Sequence, residues 1–139
     1  MLELASQWAY RLTMGLRRRI LVADDNERLQ RAVKRAAEQG QFEVIAATKG
    51  AEVLALALQT NPDAIVLDVA FPDADGRDVL AQLKAEPRTA AIPVIVWSGR
   101  REASSDRRIA LDLGAEDYLE KVDAEALIRK VERVLLRFQ

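Results

Sequence analysis

Histidine and cysteine are both absent from this chain of 139 residues. Without cysteine there is no disulfide, no thiol nucleophile and no cysteine-based zinc or iron–sulfur site. Without histidine there is no Ser-His-Asp triad, no imidazole acid–base group and no histidine metal ligand. Any chemistry must run on carboxylates, hydroxyls, lysine, arginine or a hard metal ion. An excess of one charge is missing too: 21 Lys and Arg face 22 Asp and Glu, a formal net charge of −1. That balance speaks against a general nucleic-acid binder, which carries a basic patch or stripe, so no direct nucleic-acid contact is expected. No apolar run approaches the roughly 20 residues that span a bilayer, so no membrane contact is expected either. Glu3 stands where a secretory leader carries positive charge, and the cluster Arg17–Arg19 follows the apolar residues. A cytoplasmic location is the expectation. What remains is globular composition, 50% apolar and 31% charged, at a length that suits one domain with a real core.

Five short apolar runs stand out: Ile20–Ala23, Val44–Ala47, Ala64–Leu67, Pro93–Trp97 and Asp117–Leu119. The first four are rich in Val and Ile and lack polar alternation, as strands buried on both faces of a parallel sheet do. Helical spacing falls between and after them. It is carried by Leu29, Val33 and Ala36, then Val53, Leu54, Ala57 and Leu58, then Val79, Leu80 and Leu83. Ile109 and Leu113 mark a fourth helix, and Leu127, Val131, Val134, Leu135 and Phe138 a fifth. Gly40 and Gly114 sit where helices end. Strand and helix alternating five times imply an α/β fold, a parallel sheet with helices on both faces in three layers. Residues 1–16 stand outside this scheme and read as an N-terminal extension, helical or disordered.

In open α/β sheets ligands bind beyond the carboxyl ends of the strands. Asp24 and Asp25 follow the first run, Asp68 the third, Ser98 and Gly99 the fourth, and Lys121 the fifth. With strand order 2-1-3-4-5 these groups converge on one crevice. Three carboxylates together repel unless a cation neutralises them. Oxygen ligands without His or Cys select Mg²⁺, with Mn²⁺ as the substitute. A carboxylate can attack phosphorus to form an aspartyl phosphate beside such an ion. Lysine supplies a point charge to phosphoryl oxygens and serine a hydrogen bond. Singly, each piece has a plainer reading: Asp25 or Asn26 as a helix cap, Asp68 and Ser98-Gly99 as turn formers, Lys121 as a solvated lysine, Asp75-Gly76 as a turn. The case rests on their occurring together.

The segments ILVADDNE, NPDAIVLDVAFPDADG, LKAEPRTAAIPVIVWSG and LGAEDYLEK, in this order and spacing, resemble a response-regulator receiver domain. The resemblance covers residues 17–139. It implies a doubly wound, flavodoxin-like (βα)5 fold with a five-stranded parallel sheet in the order 2-1-3-4-5. It implies phosphoryl transfer from the phosphohistidine of a histidine kinase or histidine phosphotransfer protein. By position, Asp68 resembles the phospho-accepting aspartate. Asp24 and Asp25 resemble the acidic pair that holds Mg²⁺ with Asp68, and the backbone carbonyl of Ala70 the third protein contact to the metal. Ser98 resembles the switch hydroxyl, Lys121 the phosphoryl-binding lysine, and Tyr118 the aromatic residue that turns inward on activation. Pro72 and Gly76 resemble residues that shape the loop after the phosphorylation site.

The resemblance further implies that phosphorylation rebuilds the surface of the fourth helix, fifth strand and fifth helix (roughly residues 102–138). That surface would bind a downstream protein or output domain, and the last helices could pair weakly between two copies. The chain ends with the last helix, so no attached output domain is expected. Val122 stands where the family usually has a proline, and a cis bond before Val would cost about 2.5–4 kcal/mol, so a trans bond is expected. Ala70 and Arg100 occupy positions that tune phosphoryl lifetime, and Ala70 has no side chain to position a water, which suggests slow self-dephosphorylation. A phosphatase that forms an aspartyl phosphate would need a second carboxylate at position 70. A flavodoxin-type cofactor site would find Asp24 and Asp25 where phosphate must bind. The Gly-rich Lys motif of P-loop NTPases is absent. A receiver-like scaffold that works without phosphorylation is the remaining alternative.

Overall fold

A computed structural model describes residues 17–40, 42–99, 103–121 and 123–137. The element order is β1 (Arg18–Ala23), α1 (Glu27–Gln39), β2 (Phe42–Ala47), a single 3₁₀ turn (Gly50–Glu52) leading into α2 (Val53–Thr60), β3 (Ala64–Leu67), α3 (Gly76–Ala85), β4 (Val94–Ser98), α4 (Ala103–Asp112), β5 (Asp117–Glu120) and α5 (Ala124–Leu136). All neighbouring strands pair in parallel, in the order β2-β1-β3-β4-β5. This is the expected doubly wound fold. The expected extension over residues 1–16, Arg100, Phe138 and the Lys121–Val122 bond lie outside the described residues.

β3, with Ile20–Ala23 of β1 and Val94–Trp97 of β4, is apolar throughout because both faces of the sheet are covered there. Leu21, Ala23, Ile65, Leu67, Val94 and Val96 point into one core, shared with Val53, Val79, Leu80 and Leu83 of α2 and α3. Ile20, Val22, Ala64, Val66, Ile95 and Trp97 point into the other, against Val33 of α1 and Leu127, Val131 and Val134 of α5. At about 1.5–3 kcal/mol for each large aliphatic side chain removed from water, these alternating sets hold each strand's register. In register, Ala23 lies beside Leu67 and Leu67 beside Val96. The residues that follow β1 and β3 are therefore neighbours, although 44 positions separate Asp24 from Asp68.

Three local features differ from their plainer reading. Pro93 precedes β4 rather than starting it, since it has no N–H to donate, while its carbonyl accepts from Ile65 N at 2.9 Å. Ile109 is partly exposed, and among the described side chains of α4 it is Ala110 that reaches the core. Asp75 caps α3 by accepting from Arg77 N at 2.9 Å, and Gly76 answers a steric demand. A Cβ there would stand 2.4 Å from Val69 Cα and 2.5 Å from the carbonyl oxygen of Asp68. Helix ends vary as well. Asn61 closes α2 in the left-handed conformation. Gly114, at φ +107°, turns the chain after α4, and Gly40 ends α1 without positive φ.

Gly76→Ala is expected to destabilise the domain by at least about 1–3 kcal/mol, because the methyl group meets backbone on both sides. Urea unfolding of the variant at wild-type stability would contradict this.

Candidate functional site

The first strand delivers two acids with opposite fates. Asp24 is buried at 1% exposure, whereas Asp25 is exposed. The Asp24 N–H donates to Ala47 O at 2.9 Å, which extends the sheet by one rung. Its Oδ1 accepts from Asn26 N at 2.9 Å, which turns the carboxylate back over the strand end. Asn26, not Asp25, caps α1, accepting from Leu29 N at 3.1 Å. Asp68 is also buried. Its N–H donates to Ala23 O at 2.9 Å, and its Oδ1 accepts from Ala70 N at 3.0 Å. One carboxylate oxygen each from Asp24, Asp25 and Asp68 lie within 4.8 Å of one another.

Lys121 completes the group. Its N–H donates to Ser98 O at 2.8 Å, which fixes the backbone just past the end of β5. Its Nζ reaches Asp24 Oδ2 at 2.6 Å and Asp68 Oδ2 at 3.1 Å. Ser98, the last residue of β4, is buried beside this backbone. Among the described residues, a Cβ on Gly99 would meet nothing nearer than Lys121 Cδ at 3.9 Å.

The charges do not balance within the site. Among the described residues, three carboxylates against one ammonium leave an excess of two negative charges, and two of the carboxylates are out of water. Burial raises the Asp68 pKa above the ordinary carboxylate value. The hydrogen bond from Ala70 and the Lys121 charge pull it down, Asp24 pushes it up, and the net direction is upward. Burial pushes the Lys121 ammonium down, but its bonds to Asp24 and Asp68 outweigh this and hold its pKa above the usual lysine value. An all-oxygen donor set with a charge deficit of two suits Mg²⁺ or Mn²⁺. Asp24, Asp25, Asp68 and the nearby Ala70 carbonyl could hold such an ion.

Tyr118 lies inward. It is 5% exposed, packed in the core beside Val96 and Ala110, with no hydrogen-bond partner for its hydroxyl among the described residues. Pro72 lines a cavity of about 410 Å³ formed by the loop between β3 and α3, next to Asp68.

Three supporting residues escape a reading of the sequence. Gln30 Nε2 donates to Val22 O at 2.8 Å and Asp24 O at 3.0 Å, tying α1 to the backbone that carries the acid pair. A polar residue on the apolar stripe of α1 was the available signal. Asp73 accepts from Gly50 N at 2.9 Å and Ala51 N at 3.1 Å, fastening the loop after Asp68 to the start of α2. Those two N–H groups hold its carboxyl below the usual range. Nothing in the run PDADG distinguishes this residue from an ordinary turn acid. Trp97 lies under Lys121, which no sequence spacing suggests.

The family model described as the response regulator receiver domain matches residues 20–132. Transcriptional regulatory protein PrrA of Mycobacterium leprae is 43% identical over 122 residues, covering 86% of this chain and 50% of that protein. The chain thus spans about half the length of the curated relatives it matches. A response regulator from Desulfuromonas acetoxidans superposes with a TM-score of 0.79 at 32% identity, covering 88% of this chain and 99% of the other. The Mn²⁺-bound form of response regulator Rcp1 superposes with a TM-score of 0.71 at 28% identity, covering 84% and 91%. Among the described residues no helix is long and apolar enough to cross a membrane.

Because its folded-state pKa is raised, ionised Asp68 opposes folding. The folded state binds more protons, so stability falls as pH rises through that pKa and is greatest below the unfolded value. Asp68→Asn is therefore expected to raise the Tm of the metal-free domain at neutral pH. It should also remove most of the stabilisation that millimolar Mg²⁺ gives the wild type. Thermal melts with and without Mg²⁺ read both effects, and a lower Tm for the variant would refute the charge argument.

Proposed function

Since the chain belongs to the response regulator receiver domain family, a signalling family, we propose that Asp68 accepts a phosphoryl group and that the resulting charge resets a binding surface. The observation that carries this is the buried pair Asp24 and Asp68, bridged by Lys121 and joined by Asp25 within 4.8 Å. The donor is a phosphohistidine on a histidine kinase or histidine phosphotransfer protein, or a small phosphodonor. This chain has no histidine of its own to serve. The phosphorus–nitrogen bond breaks as an Asp68 oxygen bonds to phosphorus, and the electron pair leaves with the imidazole, which takes a proton. Asp24, Asp25, Asp68 and the Ala70 carbonyl would hold Mg²⁺, or Mn²⁺ in its place, which would neutralise charge on the transferring group.

The chain's own groups do the rest. Lys121 lies 3.1 Å from Asp68 and pairs with the phosphoryl oxygens, while the Ser98 hydroxyl donates to one of them. Ser98, drawn toward the site, acts on Tyr118, which is in register with Val96 on the neighbouring strand. The α4-β5-α5 surface is mechanically joined. Asp117 at the start of β5 pairs with Lys130 of α5 at 3.0 Å and with Arg107 of α4 at 3.9 Å. A shift in β5 therefore reaches both helices, and the rebuilt face engages a downstream protein or output domain. The near-neutral net charge suits protein partners rather than a polyanion.

Acetyl phosphate with Mg²⁺ should label the wild type on a phosphate-affinity gel, and both EDTA and Asp68→Asn should abolish the band. Labelling that survives Asp68→Asn would break the site assignment, and a wild type that never labels would point to a phosphorylation-independent scaffold. The phosphoprotein should lose its phosphate over minutes or longer, because Ala70 holds no water in line for attack. Decay within seconds would contradict this.

A further inference from the structure

Lys121 reaches its partners across the end of a neighbouring strand. It follows β5, the edge strand, while its two carboxylate partners follow β1 and β3, with β4 lying between β5 and β3. Strands stand about 4.8 Å apart, so the side chain must cross the end of β4 to reach them. Trp97 is the residue it crosses. The Lys121 Nζ lies over the indole ring, 5.4 Å from its centroid, within the range of about 6 Å in which a ring face attracts an ammonium. Trp97 is itself 1% exposed, clamped among Ile20, Val22, Val33 and Leu127, so the ring is a rigid surface and not a mobile neighbour. Its Nε1 finds no hydrogen-bond partner among the described residues. Burying that N–H is a penalty that phenylalanine or leucine would avoid, so the value of the residue lies in the ring.

We propose that Trp97 is a positioning residue for Lys121: its indole face is the floor that holds the ammonium over the carboxylates. The proposal deepens the phosphotransfer reading and rests on it for its kinetic consequence, but not for the contact itself. Two of the three ammonium donors go to Asp24 and Asp68. A divalent cation at the same carboxylates competes for Asp24, and the ring then remains as the contact that keeps the ammonium beside Asp68. Leucine at position 97 would fill much of the volume and offer no such face. Phenylalanine would keep a smaller one.

The test pairs a spectroscopic arm with a kinetic one. In the NMR spectrum of the metal-free domain, the Lys121 Hε protons should be shifted upfield by the Trp97 ring current, less so in Trp97→Phe and not at all in Trp97→Leu. Normal random-coil shifts for these protons in the wild type would overturn the proposal, even if the protein is phosphorylated normally. In the kinetic arm, Trp97→Leu should slow labelling by acetyl phosphate at saturating Mg²⁺ by about three- to tenfold, and Trp97→Phe by about twofold or less. In a Lys121→Ala background, Trp97→Leu should change the rate no further. An equal slowing in that background would mean that Trp97 acts through the fold and not through Lys121, and would overturn the proposal. If Trp97→Leu fails to fold, the wild-type shift and the Trp97→Phe rate still decide. A wild type that fails to label while showing the shifted protons would sink the phosphotransfer reading and leave the contact standing.

Discussion

Two carboxylates are buried side by side at the ends of adjacent strands, and the bond that makes this tolerable is the reach of Lys121 to both of them. Buried like charges within a few ångströms would otherwise drive one group to protonate or draw water into the core. The lysine relieves this only in part. Asp68 still has a raised pKa, and the site keeps two uncompensated negative charges when Asp25 is included. The fold therefore holds in place a group of charges that is unfavourable as it stands. On the proposed function, a divalent cation or a phosphoryl dianion paired with Lys121 would relieve that strain.

The sheet is what makes the strain affordable in structural terms. From Ile20 in β1, through β3 and up to Trp97 in β4, its three central strands are apolar on both faces, so the backbone under the site is deeply buried. Asp24 and Asp68 extend that buried ladder by one rung each, through Ala47 O and Ala23 O. Gln30, Asp73 and Gly76 then hold the flanking loops, by hydrogen bonds in the first two cases and by close approach in the third. The edge of the sheet is built differently. Tyr118 is buried with no partner for its hydroxyl among the described residues, and Asp117 couples the edge strand to helices that pack on opposite faces of the sheet. Buried strands thus carry the acids, and the edge of the sheet is where the proposed response would be carried.

The sequence was legible where the physics is local or periodic. Unbroken runs such as AIVL at 64–67 announce strands covered on both faces, and the strand found there has those bounds. Strand ends that finish in Asp, Asp, Ser and Lys announce the site, because a parallel sheet places all its carboxyl ends on one side. Boundaries were less legible. Arg18 and Arg19 belong to β1 although they are charged, since Phe42 lies under one and the carbonyl of Thr60 accepts from the other. Ile109 followed the helical pattern and still emerged at the surface, because α4 turns Ala110, and after it Leu113, toward the core instead.

The absence of histidine and cysteine, the five strand runs and the acids at their ends are properties of the chain itself. They determined the fold class and the kind of chemistry open to this protein, because side-chain inventory and hydrophobic period need no partner to be read. Which groups touch was decided by the tertiary structure. Lys121 is 97 residues from Asp24 and 53 from Asp68, and the ring beneath it belongs to a fourth strand. No local pattern encodes such contacts, because they follow from strand order and register, which only the packing of the two cores sets.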